Sequence, residues 1–136
     1  MILTDTGPIV ALLDKNDVNH DICVTATKLL PPVPMLTTWP CFTEAMYLLG
    51  SVGGYYFQTE LWRLLFANRL TFHSFSSPEI QRMDVLMQKY QDTPMDLADA
   101  SIIVVAEIRS FHQVFTLDSD FYHYRLIDGS ALEVIP

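Results

Sequence analysis

Short apolar runs alternate along this chain with longer stretches of helical periodicity. Residues 1–4 form an apolar run short enough for a buried strand. Asp5-Thr6-Gly7-Pro8 then turns the chain, and Pro8 suits the first turn of a helix that Ile9 to Leu13 continue. Asn19 to Leu30 predicts a second helix, stopped by the connector Pro31-Pro32-Val33-Pro34. Met35 to Thr38 predicts a strand. Thr38 caps the next helix, which carries Pro40 in its first turn, runs to Leu49 and ends at Gly50. Gly53-Gly54 is a hinge before a helix from Tyr55 to Ala67, followed by a strand over 70–75 and a helix from Ser77 to about Tyr90. After the break at Thr93-Pro94 come a strongly apolar helix (96–110) and two strands, 113–117 and 131–135. Such alternation predicts βαβ units. The expected fold is α/β: a three-layer α/β/α sandwich around a short, mostly parallel sheet of four or five strands.

At 136 residues and 15.5 kDa the chain fits one domain, 1–136, with no internal repeat. Half of it is hydrophobic and 18% is charged, a globular composition. The net charge of −8 argues against holding nucleic acid by bulk charge and against a basic membrane-surface helix. No stretch approaches the ~20 apolar residues of a membrane span, and Met1-Ile2-Leu3-Thr4-Asp5 lacks the basic start of a signal peptide. Cys23 and Cys41 form no CxxC pair, which suits reduced core thiols in a cytoplasmic protein.

The acids carry the chemistry. Asp14, Asp17, Asp21, Glu60, Glu79 and Asp84 sit among polar residues or at helix starts and read as ordinary solvated charges. Five others do not. Asp5 ends the first strand and Asp118 ends Val114-Phe115-Thr116-Leu117, so both fall on the carboxyl edge of a parallel sheet, where such folds bind ligands. Asp is also a common turn former, and that reading stays open for either residue alone. Glu44 interrupts the edge of the apolar stripe Cys41, Ala45, Leu48, Leu49, Val52, a costly place for an unpaired carboxylate. Asp99 lies in a helix that is apolar almost all round and therefore buried. Asp96, three residues earlier, shares its face and suits an N-cap, with Asp99 as the partner in a capping pair as the competing reading. Carboxylates converging from separate elements raise one another's pKa values, and a divalent cation resolves the repulsion. Oxygen donors without His or Cys favour Mg²⁺ or Mn²⁺ over Zn²⁺.

Four segments in order, Leu3-Thr4-Asp5-Thr6-Gly7-Pro8, Thr43-Glu44-Ala45, Met95-Asp96-Leu97-Ala98-Asp99-Ala100-Ser101 and Phe115-Thr116-Leu117-Asp118-Ser119-Asp120-Phe121, resemble the PIN-domain family, most of all its compact VapC-type toxins. The resemblance spans essentially the whole chain. It implies a Mg²⁺- or Mn²⁺-dependent ribonuclease with Asp5, Glu44, Asp99 and Asp118 as catalytic, metal-holding acids. It also implies supporting roles for Asp96, Thr116, Asp120 and Thr6, of which Thr116 matches the hydroxyl that steadies the carboxylates. No acid of the pattern is missing. The expected partners are an RNA substrate, a cognate antitoxin and a second copy of the chain, in a prokaryotic cytoplasm. The expected reaction is in-line phosphodiester hydrolysis leaving a 5′-phosphate and a 3′-hydroxyl.

Other readings are weaker. Without Asp5, Glu44, Asp96, Asp99 and Asp118 the net charge becomes −3, and the one basic stretch, Arg63 to Lys89, reads as ordinary surface. Gly50-Ser51-Val52-Gly53 is neither a nucleophile elbow nor a phosphate loop. His20, His73, His112 and His123 lack metal spacing and are expected at the surface or rim. Tyr55, Tyr56, Phe57, Trp62 and Phe66 suit core or a subunit interface better than base stacking. The competing class is a non-catalytic interaction module whose acidic pocket takes a structural cation or a partner's basic segment.

Overall fold

The computed structural model describes residues 1–136. Its strands are β1 (Ile2–Leu3), β2 (Met35–Thr37), β3 (Leu70–Phe72), β4 (Gln113–Phe115) and β5 (Glu133–Ile135). β1 pairs with β2 and β2 with β3, while β4 pairs with β5, all in parallel. The two groups meet where Thr4 bridges Phe115 and the Asp5 N–H donates to the Phe115 carbonyl at 2.9 Å. The strands therefore run in the order β3-β2-β1-β4-β5. The sequence steps one way from β1 and the other way from β4, so the gap between these two strands is the point where the winding reverses.

The helices are α1 (Thr6–Leu13), α2 (His20–Leu29), α3 (Trp39–Phe66), α4 (Ser77–Lys89) and α5 (Leu97–Arg109), with a 3₁₀ turn at Ser119–Tyr122. Strand side chains alternate between faces. Leu3, Leu36 and Val114 pack with Met83 and Leu86 of α4 and the apolar body of α5. Ile2, Met35 and Phe115 point the other way, toward apolar side chains of α1, α2 and α3. This is the expected three-layer sandwich.

Sequence signals set the helix ends. Asp5, Thr38, Ser76 and Asp96 each cap the helix that follows through a side-chain oxygen, and Pro40 and Pro78 occupy first turns where no N–H is needed. The predicted stop at Gly50 is wrong. Helical structure continues past it, and the bend falls at Gly54, whose φ of 65° is left-handed territory that a side chain disfavours. The 3₁₀ turn was not expected. Nor was the exposure of Leu48 and Val52, since only Cys41, Ala45 and Leu49 of the α3 stripe are buried. Exposed Tyr55, Tyr56 and Phe66 show that much of the aromatic group lies outside the core. No helix is long and apolar enough to cross a membrane.

Candidate functional site

Asp5 follows β1, and Thr116 and Asp118 follow β4, so the three flank the gap where the winding reverses. That gap is the standard ligand crevice of open parallel sheets. Gly7 lets the start of α1 press against the end of β4, since a Cβ there would stand 3.3 Å from the Leu117 side chain.

Asp5 is buried and fully bonded. Its Oδ1 accepts from the Thr6 N–H at 2.8 Å and faces the Cys41 thiol at 3.6 Å, while Oδ2 accepts from the Thr116 hydroxyl at 2.8 Å. The Thr116 hydroxyl oxygen accepts in turn from the Asp118 N–H at 3.0 Å, so one buried threonine ties the two acids together. Thr6 is buried beside Asp5 and its hydroxyl reaches the Cys41 carbonyl at 3.4 Å. Burial pushes the Asp5 carboxyl above its ordinary range against these bonds, with Asp118 adding to the rise. Burial and the Asp5 charge push the Cys41 thiol up to about 12, which leaves it protonated and inert as a nucleophile.

Asp96 caps α5, its Oδ1 accepting from the Asp99 N–H at 2.8 Å. The capping reading therefore holds for Asp96. Asp99 does not return the bond as in a capping box. Its Oδ2 accepts from the hydroxyl of Tyr124 at 2.9 Å, and its Oδ1 is open. Burial first, then Asp96, Asp5 and Asp118, push the Asp99 carboxyl up to about 8. Glu44 is half-buried on the first turns of α3, and burial, Asp96, Asp5 and Asp118 raise it too. Asp118 caps the 3₁₀ turn, with Oδ1 accepting from the Asp120 N–H at 2.9 Å. Asp120 stands behind it, near enough to Tyr124 to raise the phenol further.

The charges of Asp5, Asp96 and Asp118 thus act on both Glu44 and Asp99 across one sheet edge. None takes part in any of the three ion pairs of the protein. A hydroxyl layer underlies them, with the Thr38 and Ser101 hydroxyls 2.7 Å apart and Thr37 bonded to the Thr4 carbonyl at 2.8 Å. Oxygen-only donors, free carboxylate oxygens on Glu44, Asp96, Asp99 and Asp118 and no protein countercharge fit a hard divalent cation. No three of the acids stand close enough together to enclose one.

The sequence reading missed Tyr124, the last aromatic of Phe121-Tyr122-His123-Tyr124, three residues after the strand-end motif and with no periodic pattern to mark it. It also misplaced His73 and Asp14. His73 is buried, accepting from Arg109 Nε at Nδ1 (2.9 Å) and holding Glu79 Oε1 at Nε2 (2.6 Å). Asp14 is buried at the end of α1, where its Oδ1 accepts from the Asn16 N–H at 3.0 Å.

No protein-family model matches the chain, and neither does any curated protein. Solved structures do. VapC20 of Mycobacterium tuberculosis, described as a sarcin-ricin loop cleaving toxin, superposes with a TM-score of 0.85 at 17% identity over 100% of both chains. A chain of VapBC2 from Rickettsia felis, solved bound to a DNA fragment from its promoter, gives 0.69 at 18% identity, again over 100% of both chains. A chain of a toxin-antitoxin complex from Klebsiella pneumoniae gives 0.66 at 21% identity, covering 100% of this chain and 97% of that one. At these identities the likeness is one of fold, and the chain has the PIN-like fold of VapC toxins.

Proposed function

We propose that this protein is a divalent-metal-dependent endoribonuclease, the toxin of a toxin-antitoxin pair. The observation that carries this reading is the set of five uncompensated carboxylates at the sheet's reversal point, on a fold shared with VapC toxins.

Asp5, Glu44, Asp99 and Asp118 would hold Mg²⁺ or Mn²⁺, with Asp96 beside them. Bound there, the metal would supply an activated water and stabilise the phosphoryl oxygens during hydrolysis. The protein's own contribution is placement. Thr116 and Thr6 fix Asp5, leaving its carboxylate no freedom to swing. Asp96 holds the first turn of α5, from which Asp99 projects. Asp120 fixes Asp118 through its backbone. The layer of threonine and serine hydroxyls keeps the floor of the site polar without adding charge. No side-chain nucleophile is required, and Cys41 is unfit to be one.

A negative chain with acids at its centre would hold RNA weakly and through the metal. Substrate RNA, a cognate antitoxin, a second copy of the chain and a cytoplasmic setting complete the proposal. VapC20 is described as cutting the sarcin-ricin loop, so a synthetic ribosomal stem-loop belongs among the substrates tried. The test is cleavage of labelled total RNA and of that stem-loop with Mn²⁺, Mg²⁺ or EDTA, beside Asp99→Asn. Metal-dependent cutting that leaves 5′-phosphates and vanishes in the variant supports the proposal. Cutting that persists in EDTA sinks it. Tight metal binding without cutting of either RNA would favour the interaction module.

A further inference from the structure

Tyr124 is the one side chain that donates to Asp99, and several contacts hold its ring and backbone still. The phenol is buried, edge-on to Tyr90 at 5.1 Å and to Phe121 at 5.2 Å between ring centres. Its N–H donates to the Asp120 carbonyl at 3.3 Å. Arg125 braces the backbone on both sides, Nη1 donating to the carbonyls of Tyr122 at 2.8 Å and Tyr124 at 3.0 Å. The Arg125 N–H donates to the Tyr90 hydroxyl at 2.9 Å, locking the neighbouring ring as well.

This clamp has a clear chemical result. A carboxylate at the head of a buried helix can rotate about its last bond and present either oxygen. The Tyr124 hydroxyl occupies Oδ2 at 2.9 Å and leaves Oδ1 as the open donor. The 3₁₀ turn that Asp118 caps ends at Tyr122, two residues before Tyr124, whose N–H ties it to that turn through the Asp120 carbonyl. One rigid segment therefore fixes an acid of its own and the orientation of an acid on α5.

We infer that Tyr124 is a positioning residue that orients Asp99 for metal capture and, through the 3₁₀ turn, sets its spacing from Asp118. This rests on the proposed metal-dependent reading. Outer-sphere donors of this kind typically change metal affinity by roughly 10–100-fold when lost. Catalysis at saturating metal should change far less, because the oxygens that meet the metal remain.

The test is Mn²⁺ titration by calorimetry, with RNA cleavage measured against Mn²⁺ concentration, for wild type, Tyr124→Phe and Glu107→Gln. Tyr124→Phe keeps the ring and removes only the hydroxyl. Glu107→Gln weakens the fold at the Arg82 pair, away from the acids, and reports the purely structural effect. The expected result is Mn²⁺ affinity weakened about tenfold or more in Tyr124→Phe. Its cleavage should be largely restored by excess Mn²⁺, and Glu107→Gln should lose thermal stability with its Mn²⁺ affinity little changed. Equal affinity in wild type and Tyr124→Phe overturns the inference and leaves the nuclease reading standing, as does an equal loss in both variants. Weaker binding in Tyr124→Phe with no RNA cut by wild type supports the inference and overturns the nuclease. A wild type that binds no Mn²⁺ overturns both.

Discussion

Two groups of buried carboxylates in this protein meet opposite fates. Around α4 and the end of α5, acids find cations. Glu107 takes a two-pronged bond from Arg82, at 3.0 and 2.9 Å, and accepts the Ile127 N–H at 2.6 Å. Glu79 holds His73, which Arg109 backs from its other nitrogen, and the Glu79 carboxyl sits below its ordinary range through its bonds to His73 and Ser76. At the sheet's reversal point Asp5, Glu44 and Asp99 find only hydroxyls, N–H groups and one another, and all are pushed up. Arginine is available to the fold and is spent elsewhere. Leaving carboxylates without a partner in a protein interior costs stability. Asp14 is also buried without a cation, but it stands alone; a cluster of such acids at one sheet edge is what calls for a use.

The largest effect should come from cutting into the unpaired group. Asp99→Asn should abolish RNA cleavage, exceeding the roughly 10–100-fold that loss of an outer-sphere partner costs. The same change should raise the melting temperature in EDTA, because the fold no longer has to keep Asp99 protonated, or charged beside repelling acids, and should blunt the further rise on adding Mn²⁺. Loss of activity together with a lower melting temperature in EDTA would mean that Asp99 is a structural acid and that the contrast between the two groups is false.

The paired group should answer oppositely. Glu107→Gln leaves Arg82 without its carboxylate and weakens the bond to Ile127, and should cost about 2 kcal/mol in denaturant unfolding. That figure lies below the range for a sealed pair because Arg82 keeps a quarter of its side chain exposed. Metal affinity and cleavage should not change. A Glu107→Gln protein of unaltered stability would show that countercharge matters little even where it is present.

Acidity separates the two groups in a single experiment. A carboxyl raised on folding, like Asp99 at about 8, holds its proton more tightly in the native state. It favours folding most below its unfolded pKa of about 4. That contribution is lost as the pH climbs through the window from about 4 to about 8. Glu79 is lowered, so its contribution is present above its unfolded pKa and is lost as the pH falls through its folded one. The metal-free protein should therefore grow less stable from pH 5 to pH 8, and Mn²⁺ should flatten that slope. Chemical denaturation at several pH values in EDTA and in Mn²⁺ checks this, and a metal-free stability that rises toward pH 8 would contradict it.

How much of this was legible beforehand follows from what a linear pattern encodes. The strands, the helix caps at Thr38 and Asp96 and the acids at strand ends announce themselves through local spacing, and the folded chain brings Asp5, Glu44, Asp96, Asp99 and Asp118 to one edge. Helix termination at Gly50 was misread because glycine marks a break only where the backbone needs a positive φ, and that need falls at Gly54. His73, Arg109 and Glu79 lie on different elements, so nothing local shows that the histidine is buried between opposite charges. Tyr124 was invisible for the same reason. Its partner Asp99 is 25 residues away, and an aromatic in a loop carries no periodicity.

The smallest expected effect tests whether pairing or burial drives the contrast. Arg63 and Glu60, three residues apart on α3, make an ion pair at 2.8 Å, as short as that of Arg82 with Glu107 at 2.9 Å. Arg63 keeps 69% of its side chain in solvent, where water screens the attraction and the long side chain must be immobilised to make the bond. Arg63→Ala should cost only a few tenths of a kcal/mol, roughly the worth of an exposed helical pair. Added salt should erase most of the difference, which it should not do for Glu107→Gln. Unfolding both variants at low and high salt makes the comparison directly. If Arg63→Ala were as damaging as Glu107→Gln, short pairing alone would account for the paired group. The uncompensated edge would then lose its claim to be exceptional, because burial is what makes a missing partner costly there.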